Sequence, residues 1–214
     1  MENRKYQILR DDKHKIEYEG KTLYRIQALR NIGTRVKAGD IGGYIQKYDN
    51  LSQVNECWVG GNAKVLDKAK VVGNATVLDE AIVKHNACIS SNARVLDEAI
   101  VLSSARILNN AVVMDHAQVS GFSRVMNSAV VAGNAQIFGS PIIRDGARVY
   151  GHAKIKGTAY IRDYAEVWDA VVKDDAIIMD RSEVYGDSVI GSDAVICGYS
   201  RIGSILHYRR SLNG

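Results

Sequence analysis

Three histidines, His85, His116 and His152, hold most of the acid–base chemistry open to this 214-residue chain. An imidazole with an ordinary pKa can take a proton from a hydroxyl or an amine, so each is a candidate general base. Asp79, Asp97 and Asp115 recur at intervals of eighteen, with Glu80 and Glu98 beside them. Carboxylates stacked in this way would suit a hard cation such as calcium or magnesium, although aspartate at a turn more simply bonds the local backbone. Arg106, Arg124, Arg144 and Arg162, preceded by Lys70, could hold phosphates or an acidic partner, or form a solvated face. The three cysteines, Cys57, Cys88 and Cys197, are odd in number and widely spaced. They predict neither a disulfide framework nor a zinc site, and they fit a reducing cytoplasm. No G-x-x-x-x-G-K-[ST] or G-x-S-x-G motif is present.

What positions these residues is a six-residue repeat. Stepping by six from Ala63 to Ala165 visits eighteen positions, of which sixteen are Ala; the others are Ser123 and Pro141. The matching series from Val65 to Val167 is Val or Ile throughout. The series from Asp67 is Asp, Gly, Asn or Ser at all but His85. A small residue followed two positions later by a β-branched one makes a short extended segment with both side chains facing one way. Asp, Gly and Asn then supply a turn, because they tolerate left-handed backbone angles or bond the backbone locally. Three bends close a triangular coil of eighteen residues, and coils stack at about 4.8 Å. The unit therefore predicts an all-β protein, a parallel β-helix of hexapeptide type. The register slips once, after Ala165, where Ala170 comes five residues on; the pattern then resumes at Ala176.

Composition agrees. Apolar residues make up 46% and charged residues 24%, which excludes a disordered chain. No run approaches the ~20 apolar residues of a membrane-spanning helix. The first residues, MENRKYQILRDDK, carry charges where a secretion signal needs an apolar stretch, so a cytoplasmic protein is expected. The net charge of +4 resides in residues 1–50, which hold 11 Lys/Arg against 7 Asp/Glu. A nucleic-acid domain would show a stronger basic stripe, so nucleic acid is not the expected partner.

Residues 1–40 break the repeat. Around Glu19-Gly20, KIEYEGKTLYRIQAL alternates apolar and polar residues and predicts a hairpin. The expected plan is a β-rich cap over 1–40, a β-helix over 41–205 entered through Gly39, Gly42 and Gly43, and a short basic tail over 206–214. The cap would cover strand edges that otherwise invite aggregation.

With the A-x-V-x-[DG]-x unit in place, the chain resembles the hexapeptide-repeat, or isoleucine-patch, superfamily. That resemblance implies a left-handed coil, an exception to the usual crossover rule. Residues 22–53 (TLYRIQALRNIGTRVKAGDIGGYIQKYDNLSQ) and 57–65 (CWVGGNAKV) are similar to YdcK-like bacterial and prophage proteins. Many members of the superfamily are acyltransferases with one histidine as base in a cleft between protomers of a trimer.

Residues eighteen apart should stack in columns. One face then carries Leu78, Leu96, Met114, Ala132, Tyr150 and Trp168, with Val112 and Val130 in the column beside it. An apolar surface of this kind predicts an interface, as a homodimer, a homotrimer or a contact with another protein. His116 and His152 fall in one column two coils apart, about 10 Å, too far for one metal ion. His85 falls at another corner, so a three-histidine zinc site would need neighbouring protomers.

Two functions remain. The first is a non-enzymatic binding or scaffold protein that presents rigid faces to a macromolecular partner and needs no cofactor. A phage-type accessory protein that occupies a host factor is its narrower form. The second is an acyl-CoA-dependent acyltransferase with His85, His116 or His152 as base. The unbroken register from 63 to 165 leaves no protruding loop to enclose a substrate, and the basic tail is shorter than the C-terminal arm of many such enzymes. Both features favour the first reading. End-to-end polymerisation is a third possibility, opposed by the cap.

Overall fold

The computed structural model describes residues 4–203. The basic tail expected at 206–214 lies outside the described residues. Each hexad contributes a strand of two or three residues, such as Arg106–Ile107 or Val112–Val113, followed by a turn. Successive strands fall on three faces in rotation. Strands on one face pair in parallel with an offset of eighteen, so Cys88 meets Arg106 and Arg106 meets Arg124. The result is a parallel β-solenoid of about nine coils, with sheets of 12, 8 and 9 strands along its first, second and third faces, three of the twelve being antiparallel strands of the N-terminal segment.

The residue types account for this arrangement. Val65, Val71, Val77 and their successors to Val167 point inward and are essentially sealed from solvent. Burying a Val or Ile side chain contributes about 1.5–3 kcal/mol, and here the gain repeats every six residues. The alanine series lies at the corners, also sealed, where nothing larger fits. When serine replaces alanine its hydroxyl bonds back to the turn: Ser123 Oγ donates to the Ser120 carbonyl at 2.5 Å, and Ser182 Oγ to Met179 at 2.7 Å. The turn residue adopts the left-handed region, with φ of 61° at Asp67, 60° at Asp79, 60° at His85 and 56° at Asp97. Backbone amides then point along the solenoid axis. Arg106 N donates to the Ser123 carbonyl, and Leu108 N to Val125, both at 2.9 Å.

The slip falls at one corner. Tyr150 still pairs with Trp168 at an offset of eighteen, but Lys154 pairs with Val171 at seventeen. Asp169 alone occupies the place that Gly151 and His152 fill one coil below. Its Oδ1 accepts the His152 amide at 2.7 Å.

The N-terminal segment is antiparallel. Strand β1 (Tyr6–Ile8) and strand β2 (Lys15–Tyr18) both pair with β3 (Lys21–Ala28). The β2–β3 turn is Glu19-Gly20, with φ of 49° and 69°, as a tight hairpin requires. Strand β4 (Ile41–Ile45) is the seam. It pairs antiparallel with β3 and parallel with Lys64–Val65. The seam is tight: a Cβ on Gly42 would lie 2.5 Å from the Val59 carbonyl oxygen, and one on Gly43 2.7 Å from that of Ala63. Lys5 and Tyr6 anchor the cap. The Tyr6 hydroxyl donates to the Leu51 carbonyl at 2.6 Å, and Lys5 Nζ to the Cys57 carbonyl at 2.8 Å. Among the described residues no helix is long and apolar enough to cross a membrane.

Candidate functional site

The third face carries a long apolar column. Leu78, Leu96 and Met114 stand in one outward column and are half-buried; Val112 and Ala132 are nearly sealed by their neighbours. The column continues into stacked rings. Tyr150 and Trp168 lie 5.7 Å apart at 11°, and Trp168 and Tyr185 4.7 Å apart at 13°. Offset stacks of this kind add about 0.5–1.5 kcal/mol per pair beyond area burial. Because the ring faces cover one another, the ladder shows solvent its edges. Burial and the nearby Glu166 carboxylate push the Tyr150 phenol up, and its hydroxyl donates to Glu166 at 3.1 Å. The column beside the rings is charged, with Arg148 3.6 Å from Glu166 and Arg201 2.9 Å from Glu183.

At its N-terminal end this face opens into a cavity of about 360 Å³ beneath the loop that precedes β4. Ile32, Ile41, Trp58 and Leu78 wall it, and Arg35 and Glu56 stand at its rim. Gly60 makes the space, since a Cβ there would lie 2.9 Å from Leu78 Cδ2. The Thr76 hydroxyl beside it is buried without a hydrogen-bond partner among the described residues. Concave apolar sites with a few polar groups are where ligands and anchor side chains bind.

The histidines do not converge. His85 lies at the corner between the first and second faces, and its Nδ1 accepts the Ser103 amide at 3.3 Å. It therefore acts as the turn aspartates do. His116 and His152 lie at the corner between the third and first faces. His116 Nδ1 is 3.3 Å from Glu98, and His152 Nδ1 is 3.4 Å from Asp169. The aspartate column is engaged with backbone. Oδ2 of Asp79, Asp97 and Asp115 accepts the amide of the corner residue one coil on, at 3.3, 3.1 and 2.8 Å. Among the described residues no three His, Cys, Asp or Glu side chains gather around one point.

The arginines divide into two pairs. Arg144 bonds Asp145 at 3.0 Å and the Tyr160 hydroxyl at 3.2 Å, and Arg162 lies 3.5 Å from Asp163. Arg106 and Arg124 stack on adjacent rungs of the second face. Neither guanidinium has a hydrogen bond or ion pair among the described residues. Cys88 precedes them in this column, and burial raises its thiol pKa, which keeps it un-ionised.

Two features escape sequence reasoning. Tyr185 extends the aromatic ladder, but counting by eighteen across the slip arrives at Gly186. The other is the cavity, whose walls come from three separate stretches of chain; the glycine pair at Gly60-Gly61 is its only local signal. The chain matches no protein-family model and no curated protein.

Proposed function

We propose that this protein is a non-enzymatic binding scaffold whose third face receives a macromolecular partner, with the cavity beside Trp58 and Leu78 taking an apolar anchor from it. The observation that carries the reading is the continuous column from Leu78 through Met114 to the stacked Tyr150, Trp168 and Tyr185, fixed on a backbone with no flexible insertion. Preorganised surfaces lose little entropy on binding, so a modest area can hold a partner. The resemblance of residues 22–53 and 57–65 to YdcK-like bacterial and prophage proteins belongs to this proposal. It narrows the role to an accessory protein that occupies a host factor.

One observation favours the acyltransferase reading. His116 is exposed and paired with Glu98, as a general base steadied by a carboxylate would be. The two readings separate in one experiment on the purified chain: solution mass by light scattering across a dilution series, followed by calorimetric titration with acetyl-CoA. The scaffold reading expects a monomer or dimer and no heat of binding. A stable trimer that binds acetyl-CoA, and whose acyl transfer is lost in His116→Ala, would overturn it.

A further inference from the structure

The chain contains two phenylalanines, and both are on the surface: Phe122 is 70% exposed and Phe138 40%. They lie together. Phe122 occupies the corner between the first and second faces, and its amide donates at 2.7 Å to the carbonyl of Gly139, the residue after Phe138. The corner positions one coil to either side of Phe122 are Ser104 and Ser140, too small to cover its ring. Along the column of Phe138 the neighbours are Ser120 and Lys156. Tyr150, Trp168 and Tyr185 shelter one another in a stack, whereas here two neighbouring rings stand exposed at one corner.

The charge around them is one-sided. Residues 116–144 contain no Asp or Glu, and between 99 and 144 the sole acidic residue is Asp115. That aspartate is at a different corner and is bonded to the Gly133 amide. Arg124 follows Phe122 by two residues on the second face, and Arg106 stacks beneath it. Neither guanidinium has a hydrogen bond or ion pair among the described residues. Two adjacent aromatic anchors flanked by two unpaired guanidinium groups, in a band free of opposing carboxylates, have the make-up of an interaction hot spot. Guanidinium pairs well with carboxylate, and the aromatic rings supply most of the buried apolar area.

We infer that this corner is a second docking surface, specific for an acidic polypeptide segment with an apolar anchor residue: the anchor packs between Phe122 and Phe138, and its flanking carboxylates pair with Arg106 and Arg124. The inference rests on the scaffold reading but uses a different surface from the third face. Two unpaired arginines are too few for the continuous phosphate track of a nucleic-acid site.

The test selects short peptides from a random display library on the immobilised chain and measures the selected peptides by fluorescence anisotropy. The expected consensus is an apolar residue flanked by Asp or Glu. Binding should weaken by at least about tenfold in Phe122→Ser/Phe138→Ser and in Arg106→Glu/Arg124→Glu, and weaken again as salt is raised. Both variants should melt at the wild-type temperature, because the substituted side chains are exposed. Leu96→Ser on the third face should bind as wild type does. Selected peptides without acidic residues, or binding lost in Leu96→Ser alone, would overturn the corner proposal and leave the scaffold reading standing. Failure to select any peptide also overturns it; the scaffold reading is decided separately by mass and acetyl-CoA titration. Tighter binding of oligothymidylate, abolished by the same variants, would replace the polypeptide with a single-stranded nucleic acid. A dimer or trimer that dissociates in Phe122→Ser/Phe138→Ser would make the corner a contact between copies of this chain.

Discussion

The Asp67 carboxylate joins the cap to two successive coils of the solenoid. It receives Lys21 Nζ from β3 at 2.5 Å and the His85 amide from the next coil at 3.1 Å. Burial pushes its carboxyl up, but Lys21 and the amide outweigh burial, and the net pKa lies below the ordinary carboxylate value. A group with a depressed folded pKa stabilises the fold above its unfolded pKa of about 3.9, and that contribution is lost as pH falls through the folded value. Asp67→Asn should therefore lower stability at pH 7 by about 1–2 kcal/mol in urea unfolding, with the difference from wild type shrinking below pH ~4. An unchanged difference at low pH would mean that the carboxylate's charge is not what binds cap to coil. At this scale the sequence was only partly legible. It places Asp67 at a turn by its spacing, but its partner Lys21 lies forty-six residues away in a segment outside the repeat. Exposure was equally hidden: Phe122 and Met114 both occupy outward positions, and which of them is covered depends on neighbours one coil above and below.

The corner is the element that sets what this fold tolerates. Most corners have two turn residues, while the corner at Asp169 has one, and pairing resumes on the far side. A glycine inserted between Asp169 and Ala170 would restore the common corner and should change stability by less than about 1 kcal/mol. The same glycine inserted between Val130 and Val131 would turn the sealed Val131 outward on that rung, at a cost of at least about 3 kcal/mol. Chemical denaturation of the two variants compares these directly; equal destabilisation would show that the short corner is a specific structure rather than a tolerated deletion. Elements were the most legible level. Three residue series with a period of six dictate strand, turn and face together, because each coil repeats one local problem. The β2–β3 hairpin was legible from Glu19-Gly20 for the same local reason. The seam at β4 was less so. Its glycines, Gly42 and Gly43, signal close approach, but the carbonyls they approach belong to Val59 and Ala63, a full coil further along the chain.

For the whole molecule, contacts reach only the neighbouring coils, so stability is a sum of similar nearest-neighbour terms. The two ends of the described chain differ. The N-terminal end has antiparallel strands over sealed Tyr6, Leu23 and Ile26, whereas in the last described coil Ile190, Ile196 and Ile202 are only partly buried and Val189 and Val195 are 61% and 52% exposed. Amide hydrogen exchange should be slowest in the middle coils, around Val101–Ile143, and progressively faster toward Ile202. Uniform protection along the axis would mean instead that the solenoid opens as one unit. The direction of the amides also gives the protein a mechanical grain. Because the bonds between rungs run along the axis, tension applied at the two ends loads one coil's bonds at a time, while tension across a face would have to shear many at once. Pulled lengthwise, the molecule would let out chain in near-equal increments, each coil of eighteen residues releasing about 60 Å of contour length, like a ratcheted tape rather than a rod that snaps.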